Sequence, residues 1–151
     1  TALTASETGH RVFGTLHSST VPQTFNRILD MFPPERKELI RQGLSYNLRA
    51  IVCQRLLPGK VQNSRIPCTE VLINKPASQK LIREGRESAL GDYIKGQKEE
   101  GMHDFTQSLV KLTKADLITN KTALDNASSP EAFKMAMQGI ELGADRGIIG
   151  R

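Results

Sequence analysis

The sequence predicts an α/β chain that turns purely helical in its second half, and three observations predict it. Ahead of Pro76, short runs of β-formers alternate with stretches of helical period. Beyond Pro76, apolar residues recur only at helical spacing, punctuated by Gly, Asn and Ser. The composition, 38% hydrophobic and 25% charged with seven prolines, supplies a packed core and excludes wholesale disorder. With no Trp and only 5% aromatics, that core rests on Leu, Ile, Val, Ala and Met. The boundary falls at Pro76, giving an α/β portion over 1–76, helices over 77–142 and a Gly-rich tail over 143–151.

The elements follow in order. Thr1–Thr8 reads as the tail of a helix, with Gly9 as its left-handed stop. Opening inside a helix, at Thr1, the chain is expected to be a piece of a longer protein. Arg11–Leu16 is a short run expected to form a buried strand. Pro22 suits a helix's first turn, and Val21, Phe25, Ile28, Leu29 and Phe32 form one apolar stripe. Pro33-Pro34 ends that helix and starts another, which carries Leu39, Ile40, Leu44, Leu48, Ile51 and Val52 on one side. This second helix is expected to run into a strand near Arg55–Leu57. A Pro58-Gly59 turn and a polar loop lead to a second strand over Ile66–Ile73, and the two form an antiparallel hairpin. Pro67 places that second strand at an edge or delays its start. In the helical half the stripes are Phe105/Leu109/Leu112, Ala123/Leu124/Ala127 and Phe133/Met137/Ile140. Ser128-Ser129-Pro130-Glu131 reads as a capping box opening the last of these helices.

A net charge of +5 and a pI of about 9.4 admit an acidic partner. The cations are interspersed with Asp and Glu, however, and no run of five Lys/Arg makes a polybasic arm, so solvated helix faces are expected. Cys53 and Cys68 have neither redox-pair nor zinc spacing, and apolar neighbours mark them as buried free thiols of a reducing compartment. No apolar stretch approaches membrane-spanning length.

Chemistry has one natural place. A strand expected to end in Thr15-Leu16-His17-Ser18-Ser19-Thr20, with a helix starting at once, puts an imidazole and several hydroxyls where phosphates bind in parallel α/β sheets. His17 there either contacts a phosphoryl oxygen or merely closes the strand while Ser19 or Thr20 caps the helix; the residues alone leave both open. His10 lies at the strand's other end, too far from His17 to share a metal at about 3.3 Å per residue, and is expected to close the preceding turn. His103, in a helical segment with Asp104, is expected at the surface, and no metal site is predicted. The phosphate-loop pattern G-x-x-x-x-G-K-[ST] is absent: Gly59-Lys60 is followed by Val61, and Gln54 stands five positions before Gly59.

Thr8-Gly9-His10-Arg11-Val12-Phe13-Gly14-Thr15-Leu16-His17 closely resembles the histidine box T-G-H-x-V-F-G-T-L-H of the type II/IV secretion ATPase superfamily, and of its PilT-type pilus retraction branch in particular. The resemblance continues in order. Ala2–Glu7 looks like the helix after the Walker B strand, Asn26–Pro33 is similar to x-R-I-I-D-x-F-P, and Leu48–Leu57 to L-R-A-V-I-S-Q-R-L-L. Leu81–Gly85, Gly101-Met102, Gln107–Leu109 and Ala127–Glu131 extend it almost to the tail.

The resemblance implies the C-terminal part of a RecA-like P-loop NTPase core, with the histidine box and hairpin, followed by a small helical domain. It implies a homohexameric motor at the cytoplasmic face of the bacterial inner membrane. Such a motor hydrolyses ATP with Mg²⁺, works against inner-membrane pilus platform proteins and binds no nucleic acid. His17 matches the histidine facing the γ-phosphate, and the implied nucleotide-binding residues are His17 and, in support of it, Thr15. The Walker A and Walker B groups would lie outside this chain, so the fragment alone is expected to hold no nucleotide tightly and to be inactive. Two segments depart from the family: Ala77-Ser78-Gln79-Lys80 stands where it has A-I-R-N, and His103-Asp104-Phe105-Thr106 where it has Q-T-F/M-D. The changed positions are expected on exposed helix faces, and they leave open an accessory, non-hydrolysing paralogue or adaptor. A stand-alone basic module binding nucleic acid is the alternative from another class.

Overall fold

The computed structural model describes residues 2–139, so the expected Gly-rich tail and Ile140 lie outside the described residues. The order is α1 (Ala2–Glu7), α2 (Val21–Asp30), α3 (Pro34–Asn47), β1 (Ala50–Pro58), β2 (Arg65–Ile73), α4 (Pro76–Arg83), α5 (Leu90–Lys95), α6 (Phe105–Lys114), α7 (Asn120–Asn126) and α8 (Pro130–Met137). The mixed α/β reading stands, and among the described residues no strand follows Ile73.

Gly9 stops α1 with φ +86°, as expected of a glycine there. The expected strand over Arg11–Leu16 does not form. A strand exists by its ladder, and among the described residues the two strands present pair only with each other. Without a partner the segment stays irregular and leaves Phe13 96% exposed.

The second helix also ends earlier than its apolar pattern suggests. Asn74 donates from Nδ2 to the carbonyls of Ser45 (2.9 Å) and Leu48 (3.0 Å), satisfying the helix end, and Leu48 turns to extended backbone. Ile51 and Val52 therefore belong to β1, which begins at Ala50 rather than near Arg55. Leu39, expected on the inner side, is 69% exposed.

The hairpin is closed at both ends by backbone bonds, Asn74 N–H to Arg49 O (2.8 Å) and Gly59 N–H to Ser64 O (3.1 Å). These fix one antiparallel register, in which Ile51 faces Leu72 and Cys53 faces Glu70. Strand alternation then puts Ile51, Cys53 and Leu57 on the buried face with Cys68, Glu70 and Leu72. Both strands of a two-stranded ribbon are edges, so Pro67 is tolerated inside β2. Glycine is needed at 59, where an added Cβ would collide with Ser64 Oγ and lie 2.9 Å from Ile66 Cγ1.

The chain packs as two compact units that divide the hairpin between them. The first holds the residues up to Cys53 and Glu70–Met102. Its core contains Val21, Phe25 and Leu29 of α2 with Leu72, Ile82, Leu90, Ile94 and Met102. Arg41 of α3 reaches the buried Glu87 through Nε at 2.7 Å. The start of α4 corrects an expectation: Ser78, where the family has Ile, is fully buried, not exposed. Its Oγ accepts from Lys75 N–H and donates to Asn74 Oδ1, each at 2.8 Å, so the hydroxyl helps cap the helix.

The second unit holds Gln54–Thr69 and the helices from His103 onward. Leu57, Cys68, Phe105, Leu109, Ile118, Ala123 and Phe133 are its buried apolar residues. Asp104 and Gln107 form the reciprocal capping box of α6, so the departure from the family's Thr preserves an N-cap. α8 starts where expected, but its cap is Ser129, accepting from Ala132 N–H at 3.2 Å, and not a Ser128–Glu131 box. Both cysteines are buried thiols that form no disulfide, and burial pushes the Cys68 thiol up.

His103 is likewise not a surface helix residue. It precedes α6, is half-buried, and sets Nε2 2.8 Å from Thr69 Oγ1. Burial first, then Lys111, holds its pKa below the usual imidazole value, against the opposing pull of Asp104. The unfolded chain therefore takes up this proton more readily than the fold. Its contribution is complete above the ordinary imidazole range and is lost as pH falls through that range. Urea titrations from pH 7.5 to 5 should show stability falling, with a smaller fall in His103→Gln.

Candidate functional site: the approach to helix α2

α2 is built to present two faces. Val21, Thr24, Phe25 and Leu29 are buried on one side, while Gln23, Asn26 and Arg27, at i, i+3 and i+4, project on the other. Thr20 is its N-cap, with extended backbone and Oγ1 accepting from Gln23 N–H at 3.4 Å. The incoming segment bends at Ser19-Thr20, so His17, Ser18 and Ser19 come to stand against the exposed face. Together with Gln23, Asn26 and Arg27 they line an open cleft of about 300 Å³.

The cleft has an imidazole, a guanidinium, two carboxamides and hydroxyls on its walls, and no carboxylate. Such a lining donates hydrogen bonds to an anion and places a positive charge beside it. Hydrogen bonds order its rim. Ser19 N–H donates to Gln23 Oε1 (3.3 Å), and Ser18 Oγ shares a bond of 2.8 Å with Thr24 Oγ1. Thr24 Oγ1 also donates to Thr20 O at 3.0 Å and lies 3.7 Å from Cys53 Sγ.

The structure treats the sequence-stated candidates differently. His17 is exposed on the cleft wall, whereas Thr15, two residues earlier and also exposed, is not part of the lining. His10 closes the turn after α1: its N–H donates to Ala5 O (3.1 Å) and its Nδ1 lies 3.1 Å from Thr8 Oγ1. Among the described residues no group of His, Cys, Asp or Glu could hold a metal ion.

The first amide of α2 is taken within the protein: Val21 N–H donates to Glu70 Oε1 at 2.7 Å. A buried carboxylate of the protein itself occupies that end of the helix, where the dipole favours negative charge. Sequence reasoning missed both Glu70 and Arg27. The available signals were an acidic residue inside the apolar run of β2, and a cation one helical turn beyond Gln23.

Residues 1–91 match the model of the family described as Type II/IV secretion system protein. The chain belongs to the type II/IV secretion system protein family. The matched span contains the whole α2 cleft and both strands. Among members of the family, the chain is 40% identical over 132 residues to a twitching motility protein of Neisseria gonorrhoeae, covering 87% of this chain and 35% of that protein. It is 37% identical over 145 residues to the type IV pilus ATPase PilU of Pseudomonas aeruginosa, covering 95% of this chain and 38% of the relative. The crystal structure of the pilus retraction motor PilT with bound ADP superposes with a TM-score of 0.74 at 38% identity, covering 86% of this chain and 36% of that one. The chain thus spans little more than a third of the length of the relatives it matches. A two-stranded sheet with these helices fits the C-terminal part of a RecA-like ATPase.

Proposed function

We propose that this chain is the C-terminal part of a type IV pilus motor ATPase that couples ATP hydrolysis to pilus retraction and twitching motility. Residues 1–76 would complete the RecA-like core and residues 77–142 would form its helical domain. The observation that carries the reading is the cleft itself: the histidine-box residue His17 stands beside Arg27 on a cleft wall without carboxylates. The ADP held by the PilT structure supports a nucleotide as the anion.

In this reading His17 donates an N–H to a γ-phosphoryl oxygen, and the loss of that oxygen on hydrolysis releases α2 and the segment before it. Thr15 supports the segment's path without touching the nucleotide. Mg²⁺ and the phosphate cradle would come from residues outside this sequence, so the chain alone turns over no ATP. The full protein would act as a homohexamer at the cytoplasmic face of the inner membrane, against the pilus platform and without nucleic acid. No described helix is long and apolar enough to cross a membrane.

A second reading has its own support: an accessory motor subunit. Ser78 is fully buried at the position where the retraction-type sequences the chain resembles carry Ile. Complementation separates the two. A retraction motor restores twitching to a strain lacking its own, whereas an accessory subunit restores it only beside a working motor. Reading the coding sequence upstream of Thr1 tests the common premise, since a phosphate loop belongs there.

A further inference from the structure

A carboxylate in the middle of an apolar strand needs a reason, because an aliphatic residue would fill the same volume without the cost of desolvating charge. Glu70 is 6% exposed and stands between Thr69 and Val71 on the buried face of β2. Its Oε1 accepts from Val21 N–H at 2.7 Å. Val21 is itself fully buried, so this amide, one of those a helix start leaves without an intrahelical partner, has no water to turn to.

Across the ladder from Glu70, Cys53 of β1 places its Sγ 3.7 Å from Thr24 Oγ1, which bonds Ser18 Oγ at 2.8 Å, next to His17. Two facing residues of the hairpin therefore meet the first turn of α2 at two points. One holds a backbone amide, and the other touches the hydroxyl pair that orders the cleft rim.

We propose that Glu70 is a positioning residue: it anchors the first turn of α2 to the hairpin and so holds His17, Arg27 and the cleft in their working arrangement. The proposal rests on the reading of His17 as the group facing the γ-phosphate. Glu70 acts through its acceptor oxygen and touches no nucleotide. It also gives the hairpin a mechanical part, since a shift of β2 pulls on the start of α2.

The test uses the full-length protein, with Mg-ATP as substrate, in four variants: Glu70→Ala, Glu70→Gln, His17→Ala and the double variant Glu70→Ala/His17→Ala. Misplacing a reacting group by about 1 Å costs on the order of 100-fold, so Glu70→Ala is expected to lower kcat by roughly 10- to 100-fold with KM little changed. Glu70→Gln, which keeps an acceptor for Val21 N–H, should recover most of the turnover. If Glu70 works through His17, the double variant is no slower than His17→Ala alone. Amide hydrogen exchange at the start of α2 should speed up in Glu70→Ala and stay slow in Glu70→Gln.

Wild-type turnover in Glu70→Ala, or a full additional loss in the double variant, would overturn the proposal. Should Glu70→Ala not fold, Glu70→Gln decides: near-normal turnover supports the anchor, and a loss as deep as that of His17→Ala refutes it. Failure of the underlying reading looks different, because His17→Ala would then turn over normally whatever the exchange at α2 reports.

Discussion

Replacing His17 by alanine in the full-length protein is expected to cut ATP turnover about 100-fold or more while nucleotide affinity changes little. The size follows from what one well-placed hydrogen-bond donor contributes when charge redistributes in a reaction, on the order of 100- to 1,000-fold in kcat. The asymmetry follows from position. His17 is exposed on an open cleft and is not built into a cage that could hold a ligand. Most of the binding energy would come from the phosphate cradle outside this sequence, and His17 would act on the terminal phosphoryl group alone. Steady-state kinetics together with direct nucleotide titration check both halves. Unchanged kcat would remove His17 from the γ-phosphate, and a parallel loss of affinity would make it a ground-state contact.

Phe25→Ala is expected to cost about 3–5 kcal/mol, as for other buried phenylalanines. Phe25 is fully buried between Val21 and Leu29 on the inner face of α2, and α2 packs against α3 and α5. Small domains hold only about 5–15 kcal/mol in reserve, so one such cavity consumes much of the margin. Urea unfolding followed by circular dichroism measures the loss. Leu39→Ala on α3 is the control: Leu39 is 69% exposed, and its truncation should stay within about 0.5 kcal/mol. Equal losses in the two variants would mean that the burial assigned to α2 is wrong.

The two residues also show where sequence reading succeeds and where it stops. Phe25 was legible because Val21, Phe25 and Leu29 recur at helical spacing, and Pro22 and Thr20 mark the start of the helix. The hairpin was legible from its β-formers, but its turn lies past the expected Pro58-Gly59: Pro58 still belongs to β1, and Ser64 N–H donates to Val61 O at 3.0 Å across the turn. Leu39 was misplaced because α3 has a weak apolar stripe, and because its end is set by Asn74, distant in sequence. The strand expected over Arg11–Leu16 failed for a similar reason: a run of β-formers states a preference, whereas a strand also needs a neighbour to bond. Of the site, His17 could be read from its motif. Arg27 needed the helix to bring it across, and Glu70 needed the register that sets it opposite Cys53 and beneath Val21. Such pairings depend on contacts across 49 residues of chain, which local pattern does not encode.

The central claim is that this chain belongs to a working pilus motor and carries the part that responds to the nucleotide. Phosphate release from Mg-ATP by the purified full-length protein, with His17→Ala beside it, tests that claim most directly. Sustained, Mg²⁺-dependent turnover by the wild type and its near loss in the variant is the result expected. Nucleotide bound without phosphate release would contradict it and leave a non-hydrolysing adaptor of the motor ring.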